Sequence, residues 1–171
     1  MKQLVAALLA VAILFGLLKL FGRWSLADNA LDVGTPVAAF SLPDLQGRPF
    51  RLPTAGRPVL INYWASWCGP CLEEMPILRG YAQRKDANGV QLVSIALEDE
   101  RSSRAWLDAN PLPFPVLVEA PSATDSSVTL GNARGLLPYS VLVGADGRVQ
   151  ATRTGPFTDA ADLEAWLAEA H

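Results

Sequence analysis

Pro58-Val59-Leu60-Ile61-Asn62-Tyr63-Trp64, then Ala65-Ser66 and Trp67-Cys68-Gly69-Pro70-Cys71, is the stretch that decides the fold. The first seven residues form a run of strand length typical of a strand buried on both faces. After the cysteines, Leu72, Met75, Leu78, Tyr81 and Ala82 recur at helical spacing, which predicts a helix from Cys68 to about Lys85. Pro76 interrupts that helix and should kink it. A thiol at a helix N-terminus faces unsatisfied backbone N–H groups and the positive end of the dipole, both of which favour thiolate. Cys68 is therefore expected to be the exposed nucleophile. Cys71, one turn inside, is expected to be shielded and close enough to form a disulfide with it. Pro70 suits the first helical turn, and Gly69 keeps the nucleophile sterically open. The bland alternatives are two buried cysteines adjacent by chance, or a metal clip that lacks its other ligands.

Working outward, Ala39–Leu42 and Phe50–Leu52 read as extended pieces around a turn at 43–47. Val90–Leu97 is a second buried strand, Ser102–Asn110 a short helix, and Phe114–Glu119 another extended piece. Residues 121–137 form a connection of small residues with one helical turn. Tyr139–Val143 and Arg148–Thr154 flank Ala145-Asp146-Gly147 as a hairpin, and Thr158 or Asp159 caps a final amphipathic helix. Strands alternating with helices, then a hairpin and a helix, imply an α/β sandwich with a mixed central sheet.

The chain has 171 residues, with 14 basic and 17 acidic groups. Lys2, Lys19 and Arg23 fall in residues 1–24, which hold no acid, so the remainder carries 11 basic against 17 acidic groups, a net −6. Such a domain has no electrostatic footprint for nucleic acid. Its 2 cysteines are Cys68 and Cys71, and its 1 histidine is the terminal His171. No metal site or cofactor is expected from that set, and any chemistry must run on the two thiols.

Leu4 to Leu18 is apolar apart from Gly16, and with Leu20 and Phe21 beyond Lys19 it comes close to the roughly 20 residues that span a bilayer. Residues 4–22 are read as a transmembrane signal-anchor after a cytoplasmic tip at 1–3, with 23–34 as linker and 35–171 as the folded domain. A cleavable signal is the alternative, since Ser25-Leu26-Ala27 has the small-x-small form, but Lys19 and Arg23 charge the region before it.

Tyr63-Trp64-Ala65-Ser66-Trp67-Cys68-Gly69-Pro70-Cys71, with Glu74 and Pro76, closely resembles the thioredoxin superfamily, above all its membrane-anchored extracytoplasmic TlpA-like and cytochrome-c-maturation branch. Gly34–Leu42 and the Leu137-Pro138 pair fit it as well. The resemblance implies a thioredoxin-like three-layer sandwich behind one N-terminal transmembrane helix, single-pass in the inner membrane and facing the periplasm. It implies that Pro138 is a cis-proline against the disulfide, leaving a backbone edge to pair with substrate; the alternative is an ordinary trans turn proline. Trp67, Gly69, Pro70, Leu137 and Pro138 would then meet the substrate. Where cytoplasmic relatives have a buried aspartate this chain has Asn62, which cannot titrate. Glu74 resembles the glutamate of the extracytoplasmic branch; the alternative is a solvated surface carboxylate. Glu98-Asp99-Glu100 reads as a solvated loop or as an acidic rim.

The expected activity is thiol–disulfide exchange in the reducing direction, on envelope disulfides such as those of apocytochrome c, recharged by a transmembrane thiol donor. The competitors are a thiol peroxidase of peroxiredoxin type and a Cu(I) carrier.

Overall fold

The computed structural model describes residues 31–54, 56–84 and 89–170. The expected membrane segment and most of the linker lie outside them. Among the described residues no helix is long and apolar enough to cross a membrane.

The elements are β1 (Phe40–Pro43), β2 (Pro49–Leu52), β3 (Val59–Trp64), α1 (Gly69–Gln83), β4 (Gln91–Leu97), α2 (Glu100–Ala109), β5 (Val116–Glu119), α3 (Ser126–Thr129), β6 (Tyr139–Val143), β7 (Val149–Thr154) and α4 (Ala160–Glu169). Five strands form one sheet in the order β5-β4-β3-β6-β7. β3, β4 and β5 run parallel, whereas β6 and β7 pair antiparallel, so the sheet is mixed as the sequence implies. β3 lies at the centre and all of its residues are buried, which is why its sequence shows no alternation.

Both faces of the sheet are covered. On one face Leu60, Trp64, Leu92 and Leu142 meet Met75 and Leu78 of α1, Leu107 of α2, and Leu163 and Leu167 of α4. On the other, Ile61, Tyr63, Val93, Ile95 and Val141 meet Leu52 and Leu130, with Val37, Phe40 and Phe50 packed against them. The β1–β2 hairpin is a separate two-stranded sheet, tied to the main one by a bridge between Asp44 and Leu117. Leu31 packs against this second cluster and the Gly34 N–H donates to Val149 O at 2.7 Å. The folded part thus reaches into the segment expected as linker.

Local chemistry sets several boundaries. α2 begins two residues before the expected Ser102, because the Asp99 side chain caps it by accepting from Ser102 N–H at 3.0 Å. β7 begins at Val149 because Gly144 and Arg148 close the turn between them. α1 continues from Gly69 to Gln83 with Pro76 inside it, although proline removes the bond its nitrogen would donate to Leu72 O. The Leu52–Pro53 and Leu137–Pro138 peptides are cis.

Candidate active site

β3 leaves the core at Trp64, and four residues later Cys68 is the N-cap of α1. Its Sγ accepts from Cys71 N–H at 3.3 Å and is bonded to Cys71 Sγ, with the two Cα atoms 5.3 Å apart. Cys68 is 5% exposed and Cys71 0%. The first cysteine is thus less open than the sequence suggests, because its sulfur is turned inward onto its partner among Trp64, Ala65 and Met75. Around it Trp67, Gly69 and Pro70 are exposed, Trp67 to 72%. A Cβ on Gly69 would meet nothing within 4 Å, so this glycine leaves room only for what approaches from solvent.

Continuing the β3–β6 register, in which Tyr63 faces Tyr139, places Pro138 beside Trp64 at the strand end that launches the cysteine loop. The Pro138 carbonyl accepts from Gly155 N–H. Both backbone groups of Leu136 are held by the Asn132 side chain, at 2.9 and 3.0 Å. Leu137 is therefore the unit on this edge that neither clamp engages. A groove of about 510 Å3 opens beside it, lined by Trp67, Leu97, Ala123, Val128, Arg134 and Leu137 among others.

Glu74 is not a surface carboxylate. It is fully buried, accepting from Asn62 Nδ2 at 2.8 Å through Oε1 and from Phe157 N–H at 3.0 Å through Oε2. Burial pushes its pKa up to about 7, against the lowering effect of those two bonds and of Arg153. Asn62 also reaches Ser140 Oγ at 3.1 Å. Ser94, Asn62, Ser140 and Arg153 are register partners on four adjacent strands, so they form one polar row across the helix-covered face of the sheet. Arg153 ends the row in a bidentate pair with Asp162, at 2.8 and 2.7 Å, and its guanidinium lies over Phe157, whose N–H holds Glu74. Asp162 is thereby held down at about 2.

Of Glu98-Asp99-Glu100, Asp99 and Glu100 are exposed as the solvated reading expects, but Glu98 is turned inward. Glu98 is 6% exposed and accepts from Ser66 N–H at 3.0 Å, Ser66 Oγ–H at 2.7 Å and Ser103 Oγ–H at 3.1 Å. It thus fixes the loop two residues before Cys68, while Asp99 caps α2 and Glu100 opens it. Sequence reading missed Ser66, Ser103, Ser140 and Arg153. Their one signal was polarity at the end of, or inside, otherwise apolar runs.

The sequence model of the AhpC/TSA family matches residues 33–152. The thiol-disulfide oxidoreductase ResA of Geobacillus thermodenitrificans is 26% identical over 160 residues, 92% of this chain and 88% of that protein. The thioredoxin-like protein YneN of Bacillus subtilis is 32% identical over 69% of this chain and 72% of its own length. A crystal structure of a thioredoxin-related protein from Neisseria meningitidis serogroup B superimposes with a TM-score of 0.65 at 27% identity, covering 76% of this chain and 98% of that one.

Proposed function

The chain belongs to the AhpC/TSA family, and from that premise we propose that it is a thiol–disulfide oxidoreductase working as a reductant of extracytoplasmic protein disulfides, with apocytochrome c as the favoured substrate class. Residues 4–22 hold it to the inner membrane as a signal-anchor, with domain 35–171 on the periplasmic side, and a transmembrane thiol reductase returns it to the dithiol state.

The observation that carries this reading is a cysteine pair closed on itself at the N-terminus of α1, with the more accessible cysteine first. In the forward reaction the Cys68 thiolate attacks one sulfur of the substrate disulfide and expels the other as a thiolate. Cys71 passes its thiol proton to the Glu74 carboxylate and attacks Cys68 Sγ. The second substrate thiolate leaves, the Cys68–Cys71 bond forms, and two electrons have passed to the substrate, whose thiolates take up the protons. A carboxyl group with a pKa of about 7 is suited to accept and release a proton near neutrality. Trp67, Gly69, Pro70, Leu137 and Pro138 would meet the substrate, with an extended substrate segment pairing along Leu137 and lying in the adjoining groove. The Gly-Pro dipeptide favours a reducing couple, toward about −270 mV rather than about −120 mV.

The test is mixed-disulfide trapping. Cys71→Ser should accumulate a covalent adduct with an oxidised protein substrate and Cys68→Ser none; equal trapping by both would overturn the roles. The family match also admits a thiol peroxidase. A peroxidatic cysteine stands alone behind a proline and a threonine or serine, whereas here Ala65-Ser66-Trp67 precede a pair. Turnover with peroxide in place of a disulfide would favour that second reading.

A further inference from the structure

Two of the side-chain atoms in the polar row have no hydrogen-bond partner among the described residues: Asn62 Oδ1 and Ser94 Oγ. Both residues are 0% exposed, and they are register partners on β3 and β4. Asn62 Nδ2 has two hydrogens, and both are directed, one to Glu74 Oε1 at 2.8 Å and one to Ser140 Oγ at 3.1 Å. This arrangement suits an ionised Glu74, which only accepts. It does not suit the protonated acid. Oε2 is held by Phe157 N–H, so the proton belongs on Oε1, where it would point donor against donor at Nδ2.

We propose that the Asn62 side-chain amide turns over whenever Glu74 gains or loses its proton, donating to the carboxylate and accepting from the carboxylic acid. A half-turn about χ2 exchanges Oδ1 and Nδ2 with almost no change of shape. Oδ1 then accepts from Glu74 Oε1–H and from Ser140 Oγ–H. Nδ2 swings to the β4 side of the strand, into the place that Oδ1 leaves and toward Ser94, its register partner, and the orphaned Oδ1 gains both of its partners in one motion. Aspartate at position 62 could not serve in this way, because an ionised carboxylate only accepts and would set a second negative charge against Glu74.

Among the described residues no other group facing Glu74 changes charge in this range. Arg153 on β7 stays cationic and is paired with Asp162 of α4, itself held down at about 2; Asn62 on β3, Ser140 on β6 and the Phe157 N–H are neutral; the bonded cysteines of α1 do not titrate. For catalysis Asn62 is a positioning residue. It lets Glu74 take the Cys71 proton and later release it while Oε1 keeps a matched hydrogen-bond partner in both states. That use rests on the role proposed above for Glu74, but the turnover itself does not.

The test uses the full oxidised chain with 15N-labelled asparagine, followed by NMR across two pH units on either side of the Glu74 midpoint. Above the midpoint the Asn62 Nδ2 protons should show cross-relaxation to the Ser140 β-protons. Below it those signals should be lost and replaced by signals to the Ser94 β-protons. In Glu74→Gln one orientation should persist at every pH. Ser140 cross-peaks at both ends of the titration, or the same exchange in Glu74→Gln, would overturn the proposal. The disulfide stays closed throughout and no turnover is measured, so failure here is distinct from failure of the trapping experiment.

Discussion

Replacing Glu74 by glutamine should change how stability depends on pH, and the size of the change follows from the burial of that carboxyl group. Folding moves its pKa from 4.5 to about 7, through loss of hydration more than the opposing bonds from Phe157 and Asn62. Below about pH 4.5 the group is protonated in both folded and unfolded chains. Between about 4.5 and 7 the folded chain holds a proton that the unfolded chain has lost, so stability falls as pH rises through that window and levels off above it. At about 1.4 kcal/mol per unit, the loss from about pH 5 to about pH 8 is on the order of 2.5 kcal/mol. Glutamine cannot titrate. Whatever it gains or loses at Phe157 N–H is a constant offset, so only the slope carries the test. Denaturant unfolding of the oxidised chain at half-unit pH steps should show wild type losing about 2.5 kcal/mol more than Glu74→Gln over that interval. Curves parallel to within about 1 kcal/mol would mean that the carboxyl group is hydrated or fully compensated, and the proton-acceptor role would fall with it.

Glu98→Ala should cost about 2 kcal/mol in the same unfolding assay, since it strands the Ser66 N–H and hydroxyl while the Ser103 hydroxyl keeps Asp99 O. Amide exchange at Ser66 and Trp67 should accelerate with it, and unchanged protection would show that other contacts hold the loop. Trp67→Ala should lower kcat/KM about tenfold for an oxidised protein substrate while sparing a small-molecule disulfide, because the ring is 72% exposed and packs no core. An equal loss on both substrates would place the ring in the chemistry rather than in docking. Alkylation by an impermeant thiol reagent after reduction, in intact cells, should label the chain in the membrane fraction; protection of the thiols would set the domain on the cytoplasmic side.

The apolar runs made the strands legible, and the cysteine spacing after β3 made the strand-to-helix junction legible. Capping detail was harder to read. Asp99 opens α2 only once its side chain is seen to point at Ser102 N–H, and three adjacent acidic residues give no clue which one turns inward. The polar row was unreadable for a different reason. Ser94, Asn62, Ser140 and Arg153 come from four strands, and nothing within one strand states its lateral register to the next. Each looked like an isolated polar interruption. Glu74 illustrates the same gap: helical spacing put it one turn past Cys71, but only the sheet beneath α1 decides whether that turn meets water or protein.

Gly69 and Pro70 stand apart from all of this wiring. Both are exposed, a side chain on Gly69 would project into open space, and its backbone lies outside the left-handed region. The two positions between the cysteines can therefore vary without disturbing the core, the loop tether under Glu98 or the polar row. Those positions border the sulfurs whose relative stability sets the redox poise. In this architecture the potential is a setting that selection, or an engineer, can move over a wide range while the rest of the domain stays as it is. Driving force and foldability are written at separate addresses in the chain.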